Sequence, residues 1–253
     1  MIKEFNKFVN KSCELFGFDK EQFIKDIQNT TRSFLPPNIE KGNFDDCIYS
    51  KNDKYICQWY ESLKKCKPDY SLYNSKFYLM SSWICHDLFS KGYLTIIARR
   101  KKEFKKPKVI IDFGCGLGFS SLKLQNIFKC KVYATNVKDS QQAVFNKEVF
   151  KDKVELVTDI RKLPKCDLAY CSEYFEHFEN PIKHLKQILK LVTPKFFVFA
   201  NSFNTIAVGH FNVYNGKSAD ETKELFQKAL MNAGYVQLKQ TWNNRPQIWK
   251  KNI

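Results

Sequence analysis

The stretch VIIDFGCGLGFS, Val109 to Ser120, constrains the fold more than any other part of the chain. An almost wholly apolar run, Val109 to Phe113, passes directly into glycines at 114, 116 and 118, and a helix-like segment, SSLKLQNIF, follows at once. A short continuous apolar run bounded by turn residues reads as a strand buried on both faces. Glycines placed there permit a tight turn and let a ligand approach the backbone at the start of the next helix. The alternation then repeats. KVYATNV (Lys131 to Val137), VELVT (Val154 to Thr158), CDLAYCS (Cys166 to Ser172) and KFFVFAN (Lys195 to Asn201) read as further strands with helices between them. Asn180 as N-cap and Pro181 at the first helical position open the helix PIKHLKQILKLV. Such alternation predicts an α/β fold whose sheet is mostly parallel and covered on both faces. The end departs from it. A helix closed by Gly234 precedes YVQLKQTW and PQIWKK, two strands across an Asn-Asn-Arg turn, which predicts a terminal antiparallel hairpin.

Upstream of Pro107 the character is helical. Phe5, Phe8, Val9, Leu15, Phe23 and Ile27 recur at helical spacing until FLPPN, Phe34 to Asn38, stops the pattern. Trp59 and Tyr60 fall on a short predicted helix, and helical spacing returns from Tyr78 to Ile97. A basic run, Ala98 to Lys108, then leads to the first strand. The expected organisation is a helical substrate or lid region over 1–105 and a ligand-binding α/β domain over 106–253.

The chain of 253 residues has 43% hydrophobic and 15% aromatic residues, enough for a packed core. The N-terminus lacks the apolar run of a signal peptide, and no segment is long enough to span a membrane, so a cytoplasmic location is expected. Nine cysteines without a Cys-x-x-Cys pair read as thiols that fill space, not as a zinc site. The net charge of +16 is compatible with a nucleic-acid partner, yet only Arg32, Arg99, Arg100, Arg161 and Arg245 are arginines.

The glycine loop discriminates among ligands. A dinucleotide-binding turn wants a third small residue where Phe119 stands and an acid at the end of the second strand, where Asn136 stands. There is also no Gly-Lys-Ser/Thr for a nucleoside triphosphate. Asp112-x-Gly114-x-Gly116-x-Gly118 after a buried first strand instead resembles motif I of the class I S-adenosylmethionine-dependent methyltransferases. That resemblance extends from Lys108 to the C-terminus. It implies a seven-stranded, mostly parallel sheet with a terminal antiparallel hairpin, S-adenosylmethionine as cofactor, and methyl transfer as the reaction. On the matching positions it implies that Asp112, Gly114, Gly116, Gly118 and Ser172 surround the cofactor. Asn136 and Gln141 would serve the ribose end, in the manner of branches similar to sarcosine and cyclopropane-type enzymes, Asp159 with Ile160 the adenine, and Val137 would also border the cofactor.

The segment SEYFEHF, Ser172 to Phe178, follows the fourth strand, at the edge where α/β sheets bind ligands. It resembles the E-x-L-E-H segment of methyltransferases acting on small-molecule hydroxyls, amines or carbons. One helical turn there would put Glu173 and His177 on one face. Glu173, His177 and His210 are the candidate catalytic residues, a histidine being suited to deprotonate a hydroxyl or amine. Glu173, Glu176, His177 and His210 also resemble the metal-binding set of the 2′-O-methyltransferases of small-RNA ends, and such a set suits manganese, iron or cobalt better than magnesium. A metal-free pocket is favoured over that alternative. His86 and His184 read as packing or surface residues, and Tyr70, Tyr73, Tyr78 and Trp83 as either pocket walls or core.

No Asn/Asp-Pro-Pro-Tyr and no Pro-Cys follows the fourth strand, which argues against amino- and C5-methylation of DNA bases. The basic run should lie at the amino edge of the sheet, opposite the cofactor. The reading is therefore methyl transfer to oxygen or nitrogen of a small-molecule acceptor. The alternatives are an RNA methyltransferase, metal-assisted at a 2′-hydroxyl, and a catalytically idle cofactor-fold subunit that binds a protein partner.

Overall fold

The computed structural model describes residues 2–34, 54–238 and 245–252. Leu35 to Asn38 of the FLPPN stop, Cys47, and Asn243 and Asn244 of the expected hairpin turn lie outside the described residues.

The N-terminal helical pattern resolves into two helices, α1 (Ile2–Phe16) and α2 (Lys20–Phe34). Gly17, at φ 68°, takes a left-handed conformation that costs other residues energy, and the Asp19 carboxylate then caps α2 by accepting from the Gln22 amide at 2.8 Å. The helix carrying Trp59 is α3 (Lys54–Lys64). The helical stretch from Tyr78 to Ile97 is one rod in three parts: α4 (Lys76–Cys85), a π-type turn (His86–Ser90) and α5 (Lys91–Arg99). Such π turns insert one extra residue and re-aim side chains, often at functional sites.

The sheet is built from β1 (Val109–Phe113), β2 (Lys131–Thr135), β3 (Glu155–Val157), β4 (Leu168–Ser172), β5 (Phe196–Ala200), β6 (Tyr235–Gln237) and β7 (Gln247–Lys251). Their order is β3-β2-β1-β4-β5-β7-β6, with the first five parallel and β7 antiparallel to both β5 and β6. This is the seven-stranded, mostly parallel sheet with a terminal antiparallel hairpin that the resemblance implied. Helices α6 (Phe119–Phe128), α7 (Gln141–Phe150), α8 (Pro181–Val192) and α9 (Ala219–Asn232) provide the crossovers. Ser218 and Glu221 form a reciprocal capping box at the start of α9.

Alternation along the strands feeds two apolar layers. Ile111 and Phe113 of β1 and Phe197 and Phe199 of β5 face one side; Ile110, with Phe196 and Val198, faces the other. The first layer runs without interruption into the N-terminal helices, joining Phe8, Phe23, Trp59 and Trp83 to Ile111 and Phe197. Phe8 lies flat on Trp83 with ring centres 5.1 Å apart, and it meets Phe145 of α7 edge-on. The second layer includes Leu94 and Ile97 of α5. The N-terminal helices are thereby fixed over the sheet through shared burial. No helix among the described residues is long and apolar enough to cross a membrane.

Candidate active site

The carboxyl ends of β1, β4 and β5 open into a cavity of about 380 Å³, within the range of small-molecule sites. Its floor is the glycine loop. Gly114, Gly116 and Gly118 all have positive φ, at 65°, 52° and 76°. At Gly118 the need for glycine is steric as well, because a Cβ would lie 2.2 Å from the Phe150 ring. At Gly116 a Cβ would point into open space, with only the Ser82 Cβ at 4.0 Å. The backbone at Gly116 is therefore bare toward the cavity, which Gly114 also lines.

Asn136 holds this loop from behind. Its amide nitrogen donates to the Gly116 carbonyl at 2.8 Å and to Asn146 Oδ1 at 2.9 Å, while its oxygen accepts from the Val137 amide. Thr135 adds two more ties, accepting from the Gly114 amide through Oγ1 and from the Cys115 amide through its carbonyl. Asp112, 1% exposed, accepts 2.6 Å hydrogen bonds from both Ser120 and Ser121 hydroxyls. Burial raises its pKa to about 6 against the opposing pull of those donors.

Asp112, Gly114, Gly116, Ser172, Glu173, His177 and His210 line the cavity together, whereas Gly118, Asn136, Val137, Gln141, Asp159 and Ile160 do not. Val137 is exposed, and Asp159 is clasped by Arg161 at 2.9 Å, which holds its pKa down to about 2. Gln141 stands at the first turn of α7 with its side-chain oxygen buried and without a partner. An orphaned buried acceptor beyond the end of β2, together with the open edge of Gly116, fits a cofactor that carries ribose hydroxyls. Asn136 differs: its amide is engaged by the loop, so it acts first as the loop's brace.

The SEYFEHF segment departs from the expected helical turn. Only Phe175–His177 coil, as a 3-10 turn, and Glu173 precedes them with φ 48°. The Glu173 amide donates to the Ala200 carbonyl at 2.7 Å, and Tyr93 Oη donates to its carboxylate at 3.2 Å. A non-glycine residue in that left-handed region is uncommon and is found disproportionately at functional sites. Glu173 and His177 reach the cavity from different sides of the turn, not from one helix face.

Glu176 does not line the cavity. Wholly buried, it turns toward the β5 exit and accepts from the Ser202 amide at 2.9 Å. Burial, reinforced by the neighbouring Glu173 carboxyl, pushes its pKa well up, so it holds a proton and can donate to Glu173. Among the described residues no group of three or more His, Cys, Asp or Glu side chains is placed to hold one metal ion. The set Glu173, Glu176, His177 and His210 is not such a group; Glu176 is engaged by the Ser202 amide and the Glu173 carboxyl.

The two histidines form the opposite wall. Their rings lie 4.8 Å apart and nearly perpendicular. Burial, with His210 alongside, depresses the His177 pKa to about 3, and burial lowers that of His210. Both are neutral at physiological pH. His210 Nδ1 lies 2.9 Å from the Thr205 carbonyl, an acceptor only, so Nδ1 carries the proton and Nε2 keeps its lone pair. His177 Nδ1 lies 3.1 Å from Tyr73 Oη. Trp59 Nε1 donates to the His210 carbonyl at 2.6 Å, tying the loop after β5 to α3.

Of the aromatic residues proposed as walls, Tyr78 lines the cavity and Tyr73 supports His177, but Trp83 is core and Tyr70 is 56% exposed. His184 packs against Phe178 and hydrogen-bonds Tyr174 Oη. The cover had no local marker in the sequence: Ser82, Cys85, Phe89 and Ser90 of the α4–α5 rod, and Thr205 to Val208 of the loop after β5. Arg245 also reaches the cavity, from the start of the last strand.

The sequence matches a family model of the methyltransferase domain over residues 86–234, more than half of the chain. An O-methyltransferase family protein from Burkholderia thailandensis superposes with a TM-score of 0.54 at 11% identity, over 70% of this chain and 60% of its own. A ribosomal protein L11 methylase from Lactobacillus delbrueckii subsp. bulgaricus gives 0.45 at 13% identity, over 64% and 78%. A SAM-dependent methyltransferase from Aquifex aeolicus gives 0.42 at 18%, over 60% and 86%. The chain thus spans 60% of the length of the first of these structures. No curated protein matches the sequence. With the strand order, the glycine loop and the family match in agreement, the chain belongs to the class I S-adenosylmethionine-dependent methyltransferases.

Proposed function

We propose that the protein transfers a methyl group to an oxygen or nitrogen of a small-molecule acceptor bound beneath its N-terminal helices. The observation that carries this reading is the cover: the α4–α5 rod and the loop after β5 close over the glycine loop at the carboxyl edge of the sheet. The basic run from Ala98 to Lys108 immediately precedes β1, at the opposite edge. A polyanion gripped by that run would lie across the sheet from the cavity.

S-adenosylmethionine, when bound, supplies an electrophilic methyl group on a sulfonium. Gly114, Gly116 and Ser172 would hold its methionine end and the orphaned Gln141 oxygen its ribose, with Val137, Asp159 and Ile160 toward the adenine. His210 acts as general base: the Thr205 carbonyl fixes its tautomer and leaves Nε2 to take the acceptor's proton. Glu173, close enough to favour the charged form of His210, stabilises the imidazolium that results. Tyr93 orients Glu173, and His177, braced by Tyr73, keeps the His210 ring upright. Enclosure supplies the rest, by holding the acceptor in line.

The test is calorimetry with S-adenosylhomocysteine, with EDTA and with manganese, followed by incubation of a fractionated extract with tritium-labelled S-adenosylmethionine. Label in the low-molecular-mass fraction, indifferent to EDTA, is the expected result. Label in RNA with a manganese requirement would replace this reading by metal-assisted 2′-O transfer. Failure to bind the cofactor product would favour the idle, partner-binding alternative.

A further inference from the structure

Arg245 is the only lysine or arginine among the described residues that line the cavity. It stands just before β7, whose Gln247 pairs with Phe199, so it emerges at the carboxyl edge beside β5. This is the side of His210 and Glu173, away from β2 and β3 and the positions for the nucleoside. Neutral hydroxyls hold the guanidinium: Nη1 donates to Ser202 Oγ at 3.3 Å, and Tyr93 Oη is a second partner. No carboxylate among the described residues forms an ion pair with it; Glu173, an acid of the same wall, shares with it the Tyr93 hydroxyl that both contact. Arg245 also borders an adjoining pocket of about 260 Å³, so its head sits on the rim between two open volumes.

A planar, permanently charged fork with several donors unfilled, aimed at a partly desolvated site, is suited to a bidentate oxyanion. The sulfonium adds a further positive charge when the cofactor is present. Glu173 and Asp112 are the wall's own carboxylates, but neither forms an ion pair with Arg245, so an anionic acceptor, unlike a neutral one, can use its open donors. The net charge of +16 also steers small anions toward the protein without requiring a nucleic acid.

We propose that Arg245 selects an acceptor that carries an oxyanion, a carboxylate or a phosphate, and anchors it on the β5–β7 side so that its nucleophile faces His210. This rests on the small-molecule reading above and names the class of acceptor.

The experiment is thermal unfolding of protein saturated with S-adenosylhomocysteine and titrated with sodium phosphate or sodium acetate, with sodium chloride as the ionic-strength control. One of the two oxyanions should raise the midpoint saturably beyond chloride, and which one does so distinguishes phosphate from carboxylate. Arg245→Met should weaken that response by roughly tenfold to a hundredfold, with Arg245→Lys in between. Because Arg245 is exposed, both variants are expected to fold, and calorimetry with S-adenosylhomocysteine checks this independently. No shift beyond chloride, or an equal shift in Arg245→Met, overturns the proposal while leaving the methyltransferase reading in place. Loss of S-adenosylhomocysteine binding by the wild-type protein would instead remove the reading beneath it.

Discussion

Replacing Gly209 by alanine tests the histidine wall directly. Gly209 has φ 89°, and an added Cβ would lie 2.4 Å from Tyr73 Oη and 2.6 Å from His177 Nδ1. Both neighbours are held, since they bond to each other at 3.1 Å and Tyr73 packs edge-on against Trp59 and Tyr78. The backbone alone costs about 1–2 kcal/mol for a residue with a Cβ in left-handed space. Overpacking adds about 1–3 kcal/mol where the surroundings cannot yield. Gly216 supplies the control: its φ is 77°, but a Cβ there would meet nothing within 4 Å. Gly216→Ala should therefore show the backbone cost without the packing cost. Urea or thermal unfolding of both variants measures the difference, about 1–3 kcal/mol, which for a chain of this size is a further loss of roughly 2–12 °C in Tm. Gly209→Ala should also slow methyl transfer more than it weakens S-adenosylhomocysteine binding. If the two variants unfold together, Tyr73 and His177 are not braced against the loop as described, and the role given to His177 fails with them.

His210→Asn should lower kcat by about 10²–10⁴ with little change in cofactor affinity, as expected for loss of a general base, and Glu173→Gln should fall between it and the wild type. Burial lowers the His210 pKa, so the acid limb of kcat/KM should lie below the ordinary histidine value and vanish in the asparagine variant. Stability carries a related signature. The His177 pKa is depressed from 6.5 to about 3, so its contribution is present above pH 6.5 and is lost as pH falls toward 3. That gap corresponds to at most about 5 kcal/mol, and His177→Gln should flatten the pH dependence of urea unfolding across that window. Asp112 has the opposite sign: raised to about 6, it favours folding below pH 3.8 and loses that contribution as pH rises through 6. Asp112→Asn should remove that slope, which would be absent in both proteins if the carboxyl were solvated. Gly116→Ala should fold with only the backbone cost, about 1–2 kcal/mol, yet weaken S-adenosylhomocysteine binding because its methyl group occupies the cavity floor.

The chain's own pattern determined the sheet. Continuous apolar runs from Val109 to Ala200 can be buried only with helices on both faces, and that periodicity is a local property. The glycine loop was equally legible, since positive φ at 114, 116 and 118 is recorded in the residue type itself. Glu173, His177 and His210 could be singled out as candidates because their residue types and their place after β4 and β5 were visible; that they line one cavity, and how they are arranged there, was not. The segment was expected to coil as one helical turn; instead the left-handed Glu173 and the Ser202 amide sent Glu173 into the cavity and Glu176 away from it. Asn136 was read as a ribose ligand by position, whereas its bonds to Gly116 and Asn146 depend on α7 folding back against the loop. The cover, with Ser82, Ser90 and Tyr93, and the rim, with Arg245, come from the α4–α5 rod upstream of β1 and from the far end of the chain, and nothing local marks them. Sequence periodicity reports which face of an element is buried, not which other element buries it. Packing of the N-terminal helices on the sheet made that choice, and with it the cavity in which the acceptor would react.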